Sequence, residues 1–113
     1  MEEPERLSRK ARNAIEQADA LREVSAASLA EIAIKFNIGK LHIGADAVQA
    51  GLDDLIVRVL PYTAEHALRL FGLPLHHRDP FDRQIIAQAF AENLPVVTPD
   101  SAFRRYHGLR TIW

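Results

Sequence analysis

One run of fourteen residues, His76-His77-Arg78-Asp79-Pro80-Phe81-Asp82-Arg83-Gln84-Ile85-Ile86-Ala87-Gln88-Ala89, limits what this chain can become more than any other. It spells the start of a helix. Asp79 is a strong N-cap, Pro80 suits the first helical position because its missing N–H has no intrahelical acceptor to lose, and Asp82 adds a second carboxylate in the first turn. Behind them Ile85, Ile86, Ala89 and Phe90 have the spacing of a helix that lies on a sheet. Two readings of the acids stand side by side. In one, Asp79 caps and Asp82 answers the helix dipole; in the other, two carboxylates at one helix end take part in chemistry.

The rest of the chain alternates short apolar runs with helical patterns. Ser8 can cap a helix reaching about Ala20, with Ala11, Ala14, Ile15 and Ala18 as a weak inner face. Leu21 to Ala26 reads as a short buried strand. Ser28 then begins a helix that turns Leu29, Ile32, Ala33 and Phe36 inward and ends at Asn37 and Gly39. Leu41 to Leu55 holds another helix with Ala47, Val48, Gly51, Leu52 and Leu55 inside, followed by a strand from Ile56 to Leu60. Thr63 can cap a helix from Ala64 to Phe71 with Leu68 and Phe71 inward, stopped by Gly72 and Pro74.

After the central helix, Asn93 suits a left-handed cap and Pro95 to Thr98 forms a buried strand that delivers Asp100. A short helix from Ser101 to Tyr106 and a strand from Leu109 to Trp113 complete the order. Strands separated by helices predict right-handed crossovers, hence an α/β fold whose parallel sheet carries helices on both faces, with any site at the carboxyl ends of the strands.

Composition narrows the function classes. A chain of 113 residues that is 48% hydrophobic suits a single domain over residues 1–113, with a modest core. A net charge of −1 excludes a uniformly basic nucleic-acid coat, so RNA would have to be met by local clusters such as Arg78, Arg83, Arg104, Arg105 and Arg110. No cysteine is present, which removes disulfides, thiolate catalysis and cysteine zinc sites and accords with a reducing cytoplasm. No apolar run spans a bilayer, and the acidic, polar start is unlike a signal sequence. The five histidines, His42, His66, His76, His77 and His107, make no zinc spacing and read as surface or loop residues, with His77 alone close to the acids.

The run HHRDPFDRQIIAQA followed by NLPVVTPD resembles the second half of a PIN domain, specifically the VapC-type toxin ribonucleases. The resemblance continues through Val24-Ser25-Ala26-Ala27-Ser28-Leu29-Ala30-Glu31-Ile32-Ala33-Ile34-Lys35, Gly39-Lys40-Leu41 and Asp100 to Trp113. It implies a three-layer PIN-like fold. Glu31, Asp82 and Asp100 match the family's second, third and fourth acidic positions, which makes them the expected catalytic and metal-binding set, with Asp79 an added ligand, a cap or a supporting group. Glu31 and Ser28 also have capping-box spacing, so a structural reading of Glu31 stays open.

The resemblance further implies Mg²⁺ or Mn²⁺ as cofactor, RNA as substrate, a cognate antitoxin of the VapB type as partner, a homodimer formed through the helical region before Gly72, and a cytoplasmic location. Arg78, Arg83, Ser101 and Arg104 would lie near the mouth, within reach of RNA phosphates. Oxygen-only ligands in an open site suit those two cations better than zinc. The family's first element, a central strand ending in an Asp-Thr-His-like turn, has no counterpart in this sequence. Three remedies are expected: rearrangement of the sheet, a strand supplied by a second chain, or a start upstream of Met1. The alternative is a catalytically inactive remnant that serves as a dimerising or antitoxin-binding module. A relative of the DNA-directed flap nucleases is a third reading, weakened by the lack of clamp segments.

Overall fold

The computed structural model describes residues 8–16, 23–55 and 57–113. The expected end of the first helix beyond residue 16, the start of the first strand at Leu21 and the strand residue Ile56 lie outside them.

Helix α1, Arg9–Glu16, starts where the sequence predicts, with Ser8 Oγ accepting the Ala11 N–H at 3.0 Å. Strand β1, Glu23–Ser25, then runs straight into helix α2, Ala26–Asn37. The cap of α2 is Ser25 rather than Ser28. The backbone is still extended at Ser25 (ψ 137°) and its hydroxyl accepts the Ala27 N–H at 3.1 Å, so Ser28 is already inside the first turn. Gly39, at φ +80°, turns the chain after the helix.

Helix α3, Ala45–Leu55, leads to strand β2, Arg58–Leu60, and Thr63 caps helix α4, Ala64–Leu68. The expected single helix to Phe71 does not form. The chain tightens into a 3-10 segment, Arg69–Gly72, where residues three apart eclipse one another, and Leu68 (63% exposed) and Phe71 (90%) both point to solvent instead of inward. Ala33 and Phe36 on α2 are likewise exposed, against expectation.

Helix α5, Pro80–Glu92, is the centre of the molecule. Asp79 Oδ1 accepts the N–H groups of Phe81 (2.8 Å) and Asp82 (3.1 Å), Pro80 takes the first position, and Asn93 closes the helix at φ 55°. Ile86, Ala87, Gln88 and Ala89 are all buried, and four consecutive residues go most of the way round a helix, so α5 is enclosed nearly all round at this level. Ile86 packs with Phe103 and Tyr106, and Leu73, Ile85, Phe90, Val96 and Leu109 close around them. Burying such side chains contributes about 1.5–3 kcal/mol each for the larger ones, so this cluster is the main source of cohesion around the site.

Strand β3, Val96–Val97, a 3-10 segment, Ser101–Arg105, and strand β4, Thr111–Ile112, follow. All pairing is parallel, as the alternation of strands and helices predicts. The continuous sheet is not found among the described residues. β1 pairs with β2 (Val24 opposite Val59) and β3 with β4 (Val96 opposite Thr111), giving two separate pairs. Packing of α2 against α5 bridges the halves.

His66 was expected at the surface and is instead 2% exposed. Its Nδ1 accepts the Thr63 N–H at 3.0 Å while Thr63 Oγ1 accepts the His66 N–H at 3.4 Å, a capping box in which histidine replaces the usual acid or amide. With Nδ1 so occupied, Nε2 faces Glu92 Oε2 at 2.8 Å and ties α4 to the end of α5. No helix among the described residues is long and apolar enough to cross a membrane.

Candidate metal centre

Three segments meet at the N-terminal end of α5. Asp82 stands in the first turn of that helix, Asp100 follows β3 and caps the 3-10 segment after it, and His77 lies in the loop that enters α5. One ligand atom from each of these residues falls within 4.8 Å of the others. His77 Nε2 is 2.8 Å from Asp100 Oδ2 and 3.1 Å from Asp82 Oδ2.

The two aspartates are held differently. Burial pushes the Asp82 carboxyl up, and the nearby Asp79, Glu31 and Asp100 charges push it the same way against the pull of His77. Asp100 lies below the usual carboxylate range, chiefly because its Oδ1 accepts the Ala102 N–H at 2.9 Å, with the His77 hydrogen bond second among the causes that lower it. The ionised form of Asp82 is therefore the less well stabilised of the two. A divalent cation would stabilise it, and the carboxylate oxygens are hard donors of the kind Mg²⁺ and Mn²⁺ take.

The other expected ligands stand further out. Glu31 projects from α2 and its Oε2 is 2.7 Å from Lys35 Nζ, one turn along, outside the tight cluster but close enough to raise Asp82. The Lys35 ammonium is raised by this hydrogen bond and by the charge of Glu31, with smaller contributions from Asp79 and Asp82. The capping-box reading of Glu31 falls with Ser28, since the cap is Ser25. Asp79 has its Oδ1 committed to the α5 backbone, and it too lies outside the cluster.

Of the four residues expected to meet RNA, Arg83 is turned into the protein. Its guanidinium donates to Pro74 O at 2.9 Å, Leu73 O at 3.3 Å and Tyr106 Oη at 3.4 Å, fastening the loop before α5. Arg78, Ser101 and Arg104 are exposed beside the acids. Sequence reasoning placed His77 near the acids but read it as a surface or loop residue, and gave Tyr106 no part in the site. The adjacency of His77 to the helix start was the available signal; Tyr106 carried none, because its contacts depend on the tertiary fold.

Converging acids at a helix start, beside the end of a parallel strand in an α/β fold, form an arrangement that could hold a divalent cation. The PIN domain family model matches residues 1–109, and the chain belongs to that family. In structure it is similar to a chain of VapBC2 from Rickettsia felis, solved bound to a DNA fragment from their promoter: the TM-score is 0.63, identity is 19%, and the match covers 89% of this chain and 90% of that one. No curated protein matches the sequence.

Proposed function

We propose that the chain is a Mg²⁺- or Mn²⁺-dependent endoribonuclease, the toxin of a VapC-type pair. The observation that carries this reading is the convergence of Asp82 and Asp100 within one cluster at the α5 start. Asp82 and Asp100 would hold the cation, with Glu31 at the rim and Asp79 supporting the helix end on which Asp82 sits. When bound, the cation would supply Lewis acidity toward the scissile phosphate and an activated water, so phosphodiester hydrolysis needs no nucleophile from the protein.

The protein's own groups bind and orient. Arg78 and Arg104 offer guanidinium groups to neighbouring phosphates, and Ser101 offers a hydroxyl beside Asp100. Arg83 sets the position of the loop rather than meeting RNA. The likeness to VapBC2 supports an antitoxin partner, and apolar side chains left at the surface, among them Ile34, Phe36 and Ile38 on and after α2 and Leu68, Phe71 and Leu75 near the 3-10 segment, offer faces for it or for a second copy.

The second reading, an inactive PIN module that only binds its partner, is favoured by one observation: the tight cluster contains two carboxylates, while Glu31 is engaged by Lys35. Cleavage of a labelled structured RNA by the purified protein in Mn²⁺, beside Asp82→Asn and Asp100→Asn made identically, decides between them. Cleavage by the parent alone establishes the nuclease. No cleavage, or the same cleavage by all three, favours the inactive module.

A further inference from the structure

The two aspartates of the proposed site repel each other, and the group lying between them is an imidazole. His77 Nε2 hydrogen-bonds Asp100 Oδ2 at 2.8 Å and lies 3.1 Å from Asp82 Oδ2. The opposite ring nitrogen fixes which proton the ring carries. Nδ1 accepts the Asp79 backbone N–H at 3.2 Å, so the neutral ring bears its proton on Nε2 and directs that N–H at the carboxylates.

The ring and its backbone are both anchored. The ring packs on Phe103 at a centroid distance of 5.4 Å and 87° between planes, and the backbone N–H of His77 donates to Tyr106 Oη at 3.0 Å. Phe103 and Tyr106 are themselves 3% and 2% exposed. His77 thus packs on the Phe103 ring of the core cluster on one side and meets the acids on the other.

We infer that His77 is a positioning residue of the metal centre, its Nε2–H donated to Asp100 Oδ2 and lying against Asp82 Oδ2, so that the two carboxylates stay converged for a divalent cation. The inference rests on the cation-binding reading above. A carboxylate oxygen has two lone pairs, so an oxygen that accepts from Nε2 can still face a cation. Direct ligation by Nε2 would require the proton to move to Nδ1, setting that N–H against the Asp79 N–H, two donors face to face. The donor set therefore remains oxygen, which favours Mn²⁺ and Mg²⁺ over zinc. Groups that orient metal ligands in this way commonly change affinity by about 10–100-fold when removed.

Mn²⁺ titration followed by loss of the free-ion electron paramagnetic resonance signal tests this on the parent protein, His77→Ala, His77→Gln and Asp82→Asn. His77→Ala should weaken binding about tenfold or more. His77→Gln, whose amide nitrogen can reach the Nε2 position and donate from it, should recover most of the loss. Spin-echo modulation of the Mn²⁺-loaded parent carrying ¹⁵N-histidine should show no directly bound nitrogen. Equal affinity in His77→Ala, or a directly bound histidine nitrogen, overturns the positioning role while leaving the metal site standing. A parent that binds no Mn²⁺ removes the site and the role together. Circular dichroism checks the fold of each variant, and should His77→Ala not fold, His77→Gln and the spin-echo result decide.

Discussion

Tyr106 Oη accepts the backbone N–H of His77 at 3.0 Å and, in the same position, the N–H of His76 at 3.2 Å. One phenol oxygen on a 2% exposed side chain thus satisfies two consecutive amides of the loop that enters α5, with Arg83 as a third donor. Tyr106→Phe keeps the ring and removes the acceptor. Each part-buried amide left unpaired costs about 1–3 kcal/mol, so thermal denaturation should show a fall in Tm, and Mn²⁺ affinity should fall with it although no carboxylate has been touched.

The opposite shifts of Asp82 and Asp100 give the metal-free protein a two-sided response to pH. Asp100, lowered in the fold, contributes stability that is present above the ordinary carboxylate range and lost as pH falls through its lowered value. Asp82, raised in the fold, acts in reverse: its contribution is present below the ordinary value and lost as pH rises through its raised one. Without metal, Asp82→Asn should therefore keep or raise Tm at neutral pH, where a gain of about 0.5 kcal/mol moves Tm by roughly 2–4 °C in a domain near this size. The same variant should lose the rise in Tm that Mn²⁺ gives the parent. Melting curves from pH 3 to 8, with and without Mn²⁺, check both signs.

The start of α5 was legible because its signals are local: Asp79 caps, Pro80 opens, Asn93 closes, and each does so with its near neighbours. Parallel pairing was legible from the order of elements. Boundaries were less so. β1 ends one residue earlier than the apolar pattern suggested and the helix cap falls three residues earlier, at Ser25, while a change of helix type at Arg69 turned Leu68 and Phe71 outward. Within the site, the meeting of Asp82 and Asp100 followed from topology. The bridging of His77, the burial of His66 and the inward turn of Arg83 depend on partners 23, 26 and up to 23 residues away, which no local pattern encodes.

Lys35 lies across from the acids and holds Glu31 at 2.7 Å. Its positive charge opposes a second cation nearby, and it occupies an oxygen that the cation could use. Lys35→Gln should therefore tighten Mn²⁺ binding severalfold at low ionic strength, an advantage that shrinks as salt screens the charges. Since the pair is solvent-facing and spans one turn of one helix, Tm should scarcely move. Isothermal titration at two salt concentrations, beside a melting curve, measures both.

Arg104 is exposed in the 3-10 segment that Asp100 caps, so its charge lies next to the proposed site without forming part of it. For the catalytically silenced Asp82→Asn background, adding Arg104→Ala should weaken binding of single-stranded RNA uniformly across sequences. One lost phosphate contact should also reduce the slope of log affinity against log salt by about 0.7. Filter binding over a range of salt concentrations provides the slope. Arg83→Ala should behave otherwise, lowering Tm through the loop it fastens.

The division of the strands into two pairs also bears on the order in which the molecule assembles. Joining β3 to β4 closes a short stretch of chain that runs directly off the end of α5, where Arg110 donates to Asn93 O at 2.7 Å. Joining β1 to β2 brings together Glu23 and Arg58, 35 residues apart, across two intervening helices. Loop-closure entropy grows with that separation, so the C-terminal pair, beside α5 and the Ile86, Phe103 and Tyr106 cluster, costs less to close than the N-terminal pair.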